Sequence, residues 1–143
     1  MVIQLCTFQV DGSHFGIDVQ HVQEVIRHQP MTPVPLAPGV VRGLVNLRGQ
    51  IVAAVDLRLR LGHPAKVGGA PPMHVVVRRD EGAVSLLVDE IGDVIDAPDH
   101  LIEPTPHNLR SAARPLVRGV CKLNNQLLLI LDVDRTVDVA GLA

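Results

Sequence analysis

Seven histidines, two cysteines and three serines carry most of the metal-binding and nucleophilic chemistry in this 143-residue chain. His14, His21 and His28 recur every seven residues, yet they fall in different expected elements. No His-x-x-x-His or Cys-x-x-Cys pair occurs, and no carboxylate stands at a ligand spacing from them, so a metal centre is not expected. Ser13, Ser85 and Ser111 lie in no Gly-x-Ser-x-Gly elbow and have no evident His/Asp neighbourhood. Neither Gly-x-Gly-x-x-Gly nor a phosphate-binding loop is present. Cys6 and Cys121 alternate with apolar residues as strand positions do, not at helix N-termini where a thiolate is stabilised. Two cysteines make no disulfide framework, and both read as small buried hydrophobes. Neither an enzyme nor a cofactor is expected. What remains is the chemistry of recognition: charges carried on rigid elements.

Arg48 is placed by residues 40–61, Val-Val-Arg-Gly-Leu-Val-Asn-Leu-Arg-Gly-Gln-Ile-Val-Ala-Ala-Val-Asp-Leu-Arg-Leu-Arg-Leu. Two β-rich runs flank Arg48-Gly49, and a two-residue connection containing Gly is a hairpin signal. Arg48 then stands at the hairpin tip, in water. Glu24 is placed by a different pattern. Asp18 reads as a helix N-cap, and Val19, Val22, Val25 and Ile26 recur at helical spacing. At about 100° per residue these four make one apolar face with Glu24 nearly opposite, in solvent beside Arg27.

Around these stretches, residues 4–10 and 15–17 read as a hairpin turned by Asp11-Gly12-Ser13. Residues 30–39 contain too many prolines for a helix or central strand and read as a stiff connector. Residues 65–72 form a loop between halves. Residues 73–78 and 83–88 read as strands, and 89–95 as a short helix weakened by Gly92. Residues 97–106 read as irregular and 108–115 as a loop. Residues 117–123 and 126–131 form a last hairpin about Asn124-Asn125, and 132–139 a closing helix.

The chain repeats itself. At an offset of 76, Val41-Arg42-Gly43 falls on Val117-Arg118-Gly119, Leu47 on Leu123, Gln50 on Gln126 and Asp56 on Asp132. At an offset of 69, Phe15, Ile17, Val22, Val25 and Ile26 face Val84, Leu86, Ile91, Val94 and Ile95. Each half is hairpin, short helix, proline-rich connector and hairpin. Four or five strands per half imply two small barrels, each marginal alone and therefore sharing one core. The expected division is residues 12–64 for one barrel and 72–139 plus the N-terminal strand for the other. Arg48 becomes Asn124 in the second copy, so the turn itself does not demand the arginine.

Composition narrows the function. The chain is 47% hydrophobic, with Phe8 and Phe15 its only aromatics and a net charge of −2. Lacking a basic block and stacking aromatics, it is not expected to bind nucleic acid. No charged leader or apolar run of membrane length is present, so a cytoplasmic protein without membrane insertion is expected.

The sequence resembles the CheW family. The resemblance rests on Phe15-Gly16-Ile17-Asp18-Val19, Val22-Gln23-Glu24-Val25-Ile26, Pro33-Val34-Pro35, Val41-Arg42-Gly43, Asn46-Leu47-Arg48-Gly49, Val55-Asp56-Leu57-Arg58, Leu87-Val88-Asp89 and Ile91-Gly92-Asp93-Val94. It implies a mostly β fold of two five-stranded SH3-like barrels around a shared hydrophobic core, with one or two short helices. It also implies a non-enzymatic adaptor coupling chemoreceptors to a CheA-type histidine kinase. By that resemblance Glu24 and Arg48 are the polar binding positions. Val45, Asn46, Leu47 and Gly49 would contact the kinase's CheW-like regulatory domain or the receptor. Val88 and Asp89, near the cleft between barrels, would help hold the receptor's cytoplasmic tip. The alternatives are a small-ligand sensor using that cleft and an adaptor in a chemosensory pathway other than chemotaxis.

Overall fold

A computed structural model describes residues 1–109, 113–123 and 125–139; Ser111 and Asn124 lie outside these. The described residues form eleven strands: β1 (Val2–Val10), β2 (Ser13–Asp18), β3 (Val22–Ile26), β4 (Val41–Leu47), β5 (Gln50–Asp56), β6 (Met73–Val77), β7 (Val84–Val88), β8 (Glu90–Pro98), β9 (Ile102–Glu103), β10 (Val117–Leu123) and β11 (Gln126–Leu131). Two short helices follow the hairpins, α1 (Leu57–Arg60) and α2 (Val133–Val137). The strands make a six-stranded sheet in the order β8-β1-β2-β11-β10-β9 and a five-stranded sheet in the order β3-β6-β7-β5-β4.

Three expectations change. The helix expected after Asp18 is a single 3₁₀ turn, Val19–His21, followed by β3. Asp18 does accept from the Gln20 amide at 2.9 Å, so the start signal is real but the helix stops at once. The apolar spacing that suits a helix also suits a β-branched strand interrupted by a bulge. The register with β6 does shift between Val22 and Glu24. The helix expected at 89–95 is strand β8, paired with β1 with a matching shift between Cys6 and Phe8. Gly92 sits within the pairing: a Cβ there would lie 2.5 Å from the Thr7 hydroxyl oxygen, so a side chain at this position would force the Thr7 side chain to shift.

The third change concerns the division of the chain. The five-stranded sheet holds residues 22–88, and the six-stranded sheet is built from both ends of the sequence. β2 does not join the barrel of its own repeat but pairs parallel with β11, Phe15 opposite Leu129. Its counterpart β7 pairs parallel with β5, Val84 opposite Ala53. Under the two offsets these pairs are equivalent, so the halves exchange strands reciprocally.

The Val-Arg-Gly repeat has a steric cause. A Cβ on Gly43 would stand 2.7 Å from the Thr32 carbonyl oxygen, and one on Gly119 3.1 Å from that of Glu103. Each glycine admits a short edge segment against its hairpin. Asp56 and Asp132 likewise cap α1 and α2, accepting from the amides of Leu59 and Arg135. The main core joins both sheets, with Phe8, Phe15 and Leu129 from one and Val55, Val75 and Leu86 from the other. Phe8 and Phe15 stack at a centroid distance of 6.2 Å. Cys6 and Cys121 are buried and unpaired, and burial raises both thiol pKa values.

Candidate interaction site

The β4–β5 hairpin turns at Arg48-Gly49, with φ of 53° and 91°. Positive φ at both central residues is the type I′ pattern, which matches the strands' right-handed twist. The Asn46 side-chain oxygen accepts from the Gly49 amide at 2.9 Å and holds the turn. A left-handed conformation costs an arginine about 1–2 kcal/mol, which glycine at the second position avoids.

At this tip Arg48 pairs with Glu24 of β3. The two strands lie at opposite edges of the five-stranded sheet, and the pair bridges them. Beside it the Gln23 side chain donates to that of Gln50 at 3.4 Å. The Arg48 side chain is 77% exposed, whereas that of Glu24 is 18% exposed. Glu24 was expected in open solvent beside Arg27. In β3 it instead turns toward the hairpin tip and orients Arg48. Glu24, Ile26, Gln29, Asn46, Leu47 and Arg48 line a shallow notch of about 130 Å³. The geometry thus joins two charges that sequence patterns placed on separate elements.

The remaining expected site residues divide by burial. Val45 and Leu47 are buried with Val52, Ala54, Val76 and Leu87 in a small core cluster. They fix the hairpin against the sheet; Val45 is fully covered, while Leu47 keeps an edge on the notch. Val88 is likewise buried, in the main core. Asn46 and Gly49 remain at the surface.

Asp89 lies elsewhere, at the seam between the sheets. Its carboxylate accepts from Arg58 of α1 and from the Asp11 amide, each at 2.7 Å. Arg58 also reaches the Asp11 carboxylate at 3.1 Å, and His63 Nδ1 stands 3.0 Å from it. This network ties the β1–β2 turn to α1 and β7. The Arg58 side chain is only 15% exposed, and its Nε has no hydrogen-bond partner. Asp11 and His63 were not singled out from the sequence, because no local pattern links a turn aspartate to a helix 47 residues later.

His74 and Ser85 form a second buried polar feature. His74 Nδ1 lies 2.8 Å from the Ser85 hydroxyl, and its Nε2 accepts from the Gln29 amide at 3.2 Å. This fastens the proline-rich connector to β6. Burial, with the nearby His28 charge adding to it, pushes the His74 pKa down to about 4. No carboxylate among the described residues completes a triad with these two. Nor does any His/Cys/Asp/Glu group among the described residues suit a metal ion. No described helix is long and apolar enough to cross a membrane.

A strand-exchanged double barrel whose exposed chemistry is a charged notch defines a protein-interaction module. The CheW-like domain family model matches residues 4–140, and this chain belongs to that family. It is 31% identical over 131 residues to the chemotaxis protein CheW of Rhizobium meliloti (strain 1021), spanning 92% of this chain and 84% of that protein. To the chemotaxis protein CheW of Bacillus subtilis (strain 168) it is 28% identical over 135 residues, 94% and 86% of the two chains. The crystal structure of the scaffolding protein TtCheW from Thermoanaerobacter tengcongensis superposes with a TM-score of 0.88 at 26% identity. That match covers 99% of this chain and 96% of the other. The expected double-barrel architecture of the family stands, with a sixth strand in one sheet supplied by the two-residue β9.

Proposed function

We propose that this chain is a non-enzymatic adaptor of chemotaxis signalling, coupling chemoreceptors to a CheA-type histidine kinase in the cytoplasm beside the membrane. The family match over nearly the whole chain carries this reading. The relatives are named for chemotaxis, and the structural neighbour is titled a scaffolding protein.

The Glu24–Arg48 notch is the surface we assign to partner recognition. An arginine at a positive-φ position is disfavoured by the fold, and the second hairpin carries asparagine at the aligned position. Arg48 is therefore there for something other than the turn. Glu24 satisfies part of its guanidinium and restricts its rotamers, while the exposed remainder faces outward with donors in a fixed fork. A pre-oriented charge gives specificity and docking rate more than raw affinity. Asn46 and the Gly49 backbone extend the surface, and Val45 and Leu47 hold it rigid from beneath. At the seam Asp89, positioned by Val88 and Arg58, contributes to the receptor-facing cleft.

The test reverses charge at each partner of the pair. Arg48→Glu and Glu24→Lys are expected to stay folded and to lose about tenfold or more in co-sedimentation with receptor and kinase. Wild-type kinase activation by both variants in reconstituted arrays would overturn the site assignment. Failure of the wild-type chain to recover any kinase or receptor from its native cytoplasm would overturn the adaptor reading itself.

A further inference from the structure

The repeat carries a second copy of the notch, and among the described residues that copy is without an ion pair. Offsets of 69 and 76 take Glu24 to Asp93, Ile26 to Ile95 and Leu47 to Leu123, and these three line one cavity just as their counterparts do. The cavity measures about 290 Å³, against about 130 Å³ for the first. Its floor includes Phe8 and Leu128. The residue aligned with Arg48 is Asn124, and among the described residues no arginine lines the cavity. Among the described residues Asp93 makes no ion pair, and Lys122, aligned with Asn46, does not line the cavity. The strand bearing Asp93 is nevertheless firmly set: the Thr7 hydroxyl donates to the Asp93 carbonyl beside Gly92.

Charge favours a cationic occupant. Residues 22–88 carry eight Lys/Arg against four Asp/Glu, whereas the rest of the chain carries five against eleven. The open notch therefore sits on the acidic side of the molecule, with Glu90 and Asp96 on the same strand as Asp93. The first barrel shows what such a frame holds: an arginine presented from a hairpin tip to a carboxylate on the opposite edge strand.

We propose that the Asp93 notch receives an arginine side chain from a protein partner, so that Asp93 takes from outside the guanidinium that Glu24 takes from Arg48. The apolar floor accommodates the methylene stem, and the carboxylate at the rim accepts the planar fork. The inference rests on the internal repeat and not on the adaptor role.

The test titrates the isotope-labelled chain with N-acetyl-arginine amide and with its neutral isostere N-acetyl-citrulline amide, following backbone amide resonances. The arginine probe is expected to give saturable shifts at Thr7, Asp93, Leu123 and Gln126, with binding roughly fivefold weaker for citrulline. Asp93→Asn is expected to remove that preference. Asn124→Arg, which supplies the guanidinium from within, is expected to suppress binding at the notch while leaving the other resonances in place. Absence of saturable shifts, equal binding of the two probes, shifts centred on the acids at Asp134 and Asp138, or undiminished binding to Asn124→Arg would each overturn the proposal.

Discussion

The β4–β5 and β10–β11 hairpins are two copies of one frame. In each, the strand after the turn ends in an aspartate that caps a short helix. In each, that aspartate's amide donates to a carbonyl just before the first strand at 2.7 Å: Asp56 to Val40, and Asp132 to Leu116. In each, a glycine two residues into the hairpin admits a backbone carbonyl. The copies part company in the side chains they add. The first places Arg48 at its tip against Glu24. The second aligns Asn124 with Arg48 and leaves Asp93 over an open cavity. Features kept in both hairpins serve closure of a small barrel, and features found in one are free to serve recognition.

The comparison extends into the core. Phe15 aligns with Val84, and both lie at the parallel seam where the halves exchange strands. Phe15 is fully buried and stacks on Phe8, whereas Val84 is partly covered and packs against the edge of the core. Truncating each to alanine is the largest break available. Phe15→Ala is expected to cost about 3–5 kcal/mol and Val84→Ala about 1 kcal/mol or less, read from urea midpoints at constant slope. Equal losses would mean that the two seams carry the core equally.

His74 aligns with Leu5 and Ser85 with Gly16, so one barrel holds a buried polar pair where the other holds leucine and glycine. The native state keeps His74 neutral down to about pH 4, while the unfolded chain binds the proton near pH 6.5. The unfolded state therefore holds more protons in that window. Stability is fully present above about pH 6.5 and falls as pH drops toward 4, by about 3 kcal/mol in all. His74→Leu is expected to flatten this part of the stability–pH curve. An unchanged slope would assign it to other groups.

Gly43 and Gly119 give the smallest and most local contrast. Gly43→Ala meets a carbonyl oxygen at 2.7 Å and Gly119→Ala one at 3.1 Å. The first is expected to cost about 2–3 kcal/mol and the second about 1 kcal/mol, by thermal or urea unfolding. A larger loss at Gly119 would show that the β9 edge is the more rigid of the two.

The sequence exposed most clearly what depends on neighbours in the chain. The Arg48-Gly49 turn is such a local signal, and the offset of 76 is a pattern of residue types along the chain; both correspond to structure. β3 carries no local strand signal, because Val19, Val22, Val25 and Ile26 satisfy helical spacing while the hydrogen bonds that make it a strand come from β6, some fifty residues away. β8 likewise owes its strand form to a distant partner, β1. The site shows the same limit. Glu24 and Arg48 were each visible, but their pairing follows from the closure of a sheet. Asp89 was visible through the family motif, but its link to Arg58 and Asp11, spread over three elements, follows from tertiary packing alone. The barrel boundaries escaped because the repeat unit and the packing unit differ by one exchanged strand.

That exchange has a consequence for synthesis. The five-stranded sheet is contiguous in the chain and can close once Val88 has left the ribosome. The first hairpin cannot: Phe15 must wait for Leu129, and Cys6 for Val94. At roughly 5–20 residues per second, an apolar two-stranded ribbon stays without its partners for on the order of ten seconds. Its nascent form thus exposes apolar surface and unpaired strand edges until the last hairpin emerges, which is where aggregation competes with folding.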